Sequence, residues 1–177
     1  MALLPIRTFG DPVLRQRSGE ITKVTDVHRR LIKDMIDTMR DAPGVGLAAP
    51  QVGVVERIFV WEVEEEHGAL INPEIVKRSR KKATEEEGCL SLPGLVYPVE
   101  RSLEVVVRAL DENGATIEIA GEDLLARVFQ HEIDHLDGVL FIDHLTEGER
   151  KEALATLRAQ ALGLPIPSRP VPPDERL

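Results

Sequence analysis

Cysteine is nearly missing from this chain, with one residue, Cys89, in 177. A single thiol cannot close an internal disulfide, so the expected compartment is reducing. Long apolar runs are missing as well. None approaches the roughly 18 residues that a membrane helix needs, and the N-terminal Met1-Ala2-Leu3-Leu4-Pro5-Ile6 reaches Arg7, Asp11 and Arg15 too soon for a signal peptide. Positive charge is in deficit, 22 Lys and Arg against 31 Asp and Glu for a net charge of −9, which argues against binding nucleic acid through the whole surface. The basic strip Arg78-Ser79-Arg80-Lys81-Lys82 reads as a solvated loop or strand edge. No internal repeat is present, and the length suits one domain able to bury a core without staples.

What the chain does contain is Gln130-His131-Glu132-Ile133-Asp134-His135. Side chains four apart on a helix share a face, so His131 and His135 can grip one metal ion while Glu132 reaches a water beside it. A hydrolytic zinc or iron site usually takes three protein ligands and keeps a position for water, so one ligand has to come from elsewhere. The extended pattern H-E-x-x-H-x-x-G-x-x-H is met at Gly138 and fails at Phe141. His144, the only later histidine, follows the apolar run Val139-Leu140-Phe141-Ile142 and is poorly placed to fold back. Upstream, Cys89 sits in the turn-like run Glu86-Glu87-Gly88-Cys89-Leu90-Ser91-Leu92-Pro93-Gly94, and a thiolate is a good ligand for zinc or ferrous iron.

Other chemistries compete for these residues. A nucleophilic cysteine with a histidine base uses Cys89 and one imidazole but leaves the second His and Glu132 without a role. A metal-dependent endopeptidase shares the helix motif and usually takes a different third ligand; a noncatalytic module with a structural metal would have no use for Glu132. The run Gly44-Val45-Gly46-Leu47-Ala48-Ala49-Pro50-Gln51 formally fits a dinucleotide-binding pattern, but it follows a helix and meets Pro50 where a helix should open. It reads instead as an extended loop of small residues that lets a substrate backbone approach, with Gln51 offering an amide donor.

Apolar residues at three- and four-residue steps predict a helix over 25–40, closed by Asp41-Ala42-Pro43-Gly44. Short strands are expected over 57–63, 69–72, 74–77, 103–110 and 116–120, the last two joined by Asp111-Glu112-Asn113-Gly114, and their succession without helices implies antiparallel pairing. A second helix over about 121–137, capped by Gly138, should turn Leu124, Leu125, Val128, His131, Glu132 and His135 inward. A third is expected over 146–162 with a Thr146/Glu149 capping box. These limits give a single catalytic domain over 1–162 and a proline-rich tail over 163–177, extended or mobile.

Taken together, the glycine loop ending in Gln51, the Glu87-Gly88-Cys89-Leu90-Ser91 segment and the Gln130-to-Gly138 helix end resemble the peptide deformylases. The similarity extends from Gly10-Asp11-Pro12-Val13-Leu14-Arg15 to Leu140-Phe141-Ile142-Asp143. It implies an α+β fold, with antiparallel β-sheets packed around a central metal-binding helix and with N-terminal and C-terminal helices. It implies one divalent ion, ferrous iron replaceable by zinc or another divalent metal, held by Cys89, His131 and His135. The implied reaction removes the formyl group from the N-terminal methionine of a newly made polypeptide and releases formate. Glu132 would move the proton, the Leu90 N–H and the Gln51 amide would meet the oxyanion, Gly46 would pair with the peptide backbone, and Val128 would line the methionine pocket. The expected setting is the bacterial-type cytoplasm, as a monomer without DNA or membrane partners, with transient ribosome contact through the C-terminal helix. One departure is Leu95-Val96-Tyr97-Pro98, where some family members carry a substrate-contacting arginine. Arg101 remains, and its expected partner is Glu87.

Overall fold

The structure is a computed structural model that describes residues 2–167. A five-stranded antiparallel sheet has the order β1 (Gly46–Ala48), β2 (Ile58–Val63), β3 (Glu66–Arg78), β6 (Glu104–Leu110), β7 (Thr116–Glu122), and a separate hairpin pairs β4 (Lys82–Cys89) with β5 (Leu92–Ser102). Helix α1 (Asp26–Asp41) covers one face of the large sheet, α2 (Asp123–Leu136) covers the other, and α3 (Glu147–Ala161) packs on the hairpin. This is the α+β arrangement expected, with a metal-motif helix at the centre.

Strand β2 shows why the sheet is sandwiched. Its alternate residues Ile58 and Val60 join Ile32, Met35 and Met39 of α1, while Phe59 and Trp61 join Phe129 of α2. A strand buried on both faces reads as a continuous apolar run, because neither face can be polar. Trp61 and Phe129 meet edge to face with centroids 5.5 Å apart, which seats the metal-motif helix on the sheet. A third cluster joins Leu92, Leu95 and Tyr97 of the hairpin to Phe141, Ala153 and Leu157, so α3 belongs to the same packed body.

The helix limits agree with the sequence pattern, and local chemistry explains them. The Thr25 N–H donates to His28 Nδ1 (2.9 Å) at the start of α1, and the Glu149 N–H donates to Thr146 Oγ1 (3.3 Å) at the start of α3. Beyond α2, Gly138 has φ +74°, and a Cβ there would stand 2.5 Å from the Arg15 carbonyl oxygen. Only glycine fits that conformation and that approach. Arg57 closes the same end, donating to the Leu136 carbonyl (3.1 Å) and to Asp137 (2.9 Å).

Several expectations need correction. The segments 69–72 and 74–77 are one strand, β3, with register shifts between Ile71 and Glu74 and between Ile75 and Lys77. The interruption comes at Asn72, with φ +51°, whose side-chain amide bonds both the N–H and the carbonyl of Ile21. The run 44–51 is not an extended loop throughout: Gly46–Ala48 is an edge strand and Ala49–Val52 a 3₁₀ turn. The cysteine segment is a β-hairpin instead of a turn in isolation. Leu124 is 47% exposed and not interior. Of the proposed tail, residues 163–167 follow α3, and 168–177 lie outside the described residues. Among the described residues no helix is long and apolar enough to cross a membrane.

Candidate metal centre

Helix α2 presents His131 and His135 on one face with their Nε2 atoms 3.2 Å apart. Strand β4 brings Cys89 to the same point from the other side. The β4–β5 register shifts between Gly88 and Cys89, which turns the thiol out of the ladder, and Cys89 Sγ lies 3.3 Å from His135 Nε2. All three ligand atoms fall within 4.8 Å of one another. His144 takes no part, since its Nε2 lies 2.8 Å from Asp134 Oδ2.

Neighbouring side chains prepare these atoms. Glu87 accepts two hydrogen bonds from Arg101 (2.7 and 3.1 Å) and one from Arg127 (2.9 Å). Burial would raise its carboxyl, but the hydrogen bond with His131, followed by those from Arg101, holds it well below the usual range. As an acceptor only, it requires His131 to donate from Nδ1, at 2.5 Å, and this leaves the Nε2 lone pair for a metal ion. Burial alone would push the Cys89 thiol up, but the adjacent imidazoles of His135 and His131 bring it down to about 5. A thiolate and two imidazole nitrogens converging in this way suit zinc or ferrous iron.

Glu132 is 4% exposed, and its Oε2 is buried without a hydrogen-bond partner. Burial pushes this carboxyl up to about 7, against the opposing pull of the two histidines. An unpaired buried carboxylate oxygen is costly in a finished fold and useful where a water or amine must be met. Its other oxygen abuts Gly46, where a Cβ would come within 2.5 Å of Oε1. Gln51, 1% exposed, is fixed by its own backbone: the Ala48 N–H donates to Oε1 (2.8 Å), so Nε2 faces Ser91 Oγ (3.1 Å) and Cys89 Sγ (3.7 Å).

These groups open onto a cavity of about 490 Å³. Gly46, Gln51, Cys89, Leu90, Val128, His131 and Glu132 all line it, while His135 stands behind at 1% exposure. Every site residue expected from the sequence is therefore at or beside one point. The Glu87–Arg101 pair is present as expected. Sequence reasoning missed the bond that His131 donates to Glu87, the contact of Ser91 with Gln51, and Arg127 altogether; the Glu-Gly-Cys run hinted at the first, and nothing in the pattern marked the last.

The polypeptide deformylase family profile matches residues 3–151. The chain belongs to that family. It is 52% identical over 158 residues to the peptide deformylase of Acidothermus cellulolyticus, covering 89% of this chain and 87% of that protein. It is 51% identical over 147 residues to the peptide deformylase of Clostridium botulinum, covering 83% and 99%. Among solved structures, peptide deformylase from Thermus thermophilus superposes with a TM-score of 0.85 at 42% identity, covering 91% of this chain and 96% of that one. The Ehrlichia chaffeensis enzyme in complex with actinonin gives 0.87 at 39% identity, with 90% and 98% covered. With its Cys89, His131 and His135 group, the chain is a metal-dependent deformylase.

Proposed function

We propose that the protein removes the formyl group from the N-terminal methionine of newly made polypeptides, using ferrous iron, for which zinc or another divalent ion can substitute. Cys89, His131 and His135 hold the ion. Its chemistry is to acidify a water and polarise the formyl oxygen near neutral pH.

The chain's own groups do the rest. Glu132 takes a proton from the attacking water as its oxygen bonds to the formyl carbon. The Gln51 amide and the Leu90 N–H donate to the developing oxyanion, a role supported by the Ala48 bond that locks the Gln51 amide in one orientation. The C–N bond then breaks as Glu132 returns the proton to the departing amine, and the hydroxyl proton left on the product passes to the same amine, so that formate and an ammonium terminus leave. Gly46, at the free edge of β1, pairs with the peptide backbone, and Val128 lines the pocket for the methionine side chain. The observation that carries this reading is the buried, unpartnered Glu132 oxygen beside three converging metal-ligand atoms.

Such a substrate places the enzyme in the cytoplasm where nascent chains emerge. It works there as a monomer, with α3, whose surface mixes Glu147, Glu149 and Glu152 with Arg150, Lys151 and Arg158, offering transient contact to the ribosome. Residues 1–162 act as one catalytic domain, a reading supported by the packing of α3 into the hairpin core. The deciding assay is anaerobic incubation of the purified iron-loaded protein with formyl-Met-Ala. Release of formate is expected; cleavage of internal peptide bonds without formate would overturn the reading.

A further inference from the structure

Cys89 comes from the β4–β5 hairpin and the two histidines from α2, so the site's geometry depends on how the hairpin is held against the helix. Arg127 lies one turn before His131 on α2 and is 6% exposed. Its Nη1 donates to Glu87 Oε2 (2.9 Å) and to the Val99 carbonyl (2.8 Å), and its Nη2 donates to the Ala83 carbonyl (3.0 Å). One guanidinium thus grips both strands of the hairpin. Glu87 stands two residues before Cys89 and accepts a hydrogen bond from His131 Nδ1, so the clamp reaches both kinds of ligand. Arg101 makes a second link, to Asp134 (2.7 Å), about two turns farther along α2.

We propose that Arg127 is a positioning residue that, by clamping Ala83, Glu87 and Val99 to α2, sets Cys89 Sγ against the His131 and His135 imidazoles and so fixes how tightly the metal is held. The inference rests on Cys89, His131 and His135 being the ligand set. A planar fork with five donors can satisfy three acceptors on two strands at once; an ammonium is a compact charge that cannot. Arg127→Lys therefore keeps the buried charge and removes the geometry. Losing a group that orients a ligand typically costs about 10- to 100-fold in metal affinity.

The test uses the full chain, stripped of metal and titrated with Co²⁺, with affinity measured by chelator competition and ligation followed by the near-ultraviolet thiolate-to-cobalt absorption. Far-UV circular dichroism checks that each variant is folded at the assay temperature. Arg127→Lys and Arg127→Met should bind Co²⁺ about 10- to 100-fold more weakly than the parent, with a weakened or shifted thiolate band. A parent-like affinity and band in Arg127→Lys would overturn the inference while leaving the ligand set intact. A parent protein lacking the thiolate band would overturn the ligand set and the inference together. If Arg127→Met fails to fold, Arg127→Lys decides; if Arg127→Lys also fails to fold, the residue serves folding and not ligand position, and the inference falls.

Discussion

Gly46→Ala isolates one contact at the reacting centre. The added Cβ would stand 2.5 Å from Glu132 Oε1, 2.9 Å from Cδ and 3.0 Å from Cγ. To reach ordinary van der Waals contact at 3.4–4 Å, the carboxylate oxygen has to retreat by about 0.9–1.5 Å. Misplacing a catalytic group by about 1 Å can cost on the order of 100-fold in rate, so formate release should fall by roughly 10- to 100-fold. Stability should change much less. The displaced atoms are the far end of one side chain, and overpacking of that kind costs about 1–2 kcal/mol, each worth a fall of about 2–4 °C in Tm for a domain of this size. The assay is kcat/KM for formyl-Met-Ala with the iron-loaded enzyme, beside thermal unfolding of the same samples. Gly46→Ala with kcat/KM within threefold of the parent would refute the placement of Glu132 as the proton carrier.

The buried Glu87–Arg101 pair should couple strongly: removing one partner of a buried pair costs about 3–5 kcal/mol, and a double-mutant cycle of Glu87→Ala and Arg101→Ala in urea unfolding should find the double variant well short of the sum. Additivity would show the pair to be incidental. Asp143 predicts a pH effect. Burial would raise its carboxyl, but the paired bonds from Arg15 (2.6 and 3.2 Å) hold it below its ordinary value. A lowered folded pKa gives stability that is present above the unfolded value of about 3.9 and lost as pH falls through the folded one. The Tm gap between the parent and Asp143→Asn should therefore be full at pH 6–7 and close on acidification below about pH 4; a gap that widened in acid would contradict the pairing. Leu157, 5% exposed among Leu92, Leu95 and Tyr97, makes α3 part of the core. Leu157→Ala should cost about 2–5 kcal/mol in denaturant unfolding, and an unchanged midpoint would show α3 to be a detachable appendage.

The three helices were legible because their signals are local. Apolar spacing, a Thr/Glu capping box and a glycine past the last turn all act within a few residues of one another. The β6–β7 hairpin was legible for the same reason, through Asp111-Glu112-Asn113-Gly114. The β4–β5 hairpin was not. Glu87 is the only buried residue of β4, so that strand has no apolar alternation to read. In β5 the buried positions Leu95, Tyr97, Val99 and Arg101 do alternate, but Pro93, Gly94 and Pro98 read as breakers, and a guanidinium ends the series. Both strands depend on partners far along the chain.

The site divides in the same way. Its metal ligands stood out because their residue types are scarce: one cysteine and five histidines in the whole chain. The groups that hold those ligands are Glu and Arg, and with 31 acidic and 22 basic residues their type carries almost no information. Burial is what separates them. Burying a charge is costly unless it is paired, so such groups are kept only where something demands them. Among the described residues the buried carboxylates and guanidinium groups are Arg57, Glu87, Arg101, Arg127 and Glu132. Arg57 closes the end of the metal-motif helix, Arg101 and Arg127 hold Glu87, Glu87 orients His131, and Glu132 faces the cavity that Cys89 and His131 also line. Each of these charges is spent on the helix that carries the ligands or on the ligands themselves, which is why Arg127, unremarkable in the sequence, becomes the natural place to perturb metal binding without touching a ligand.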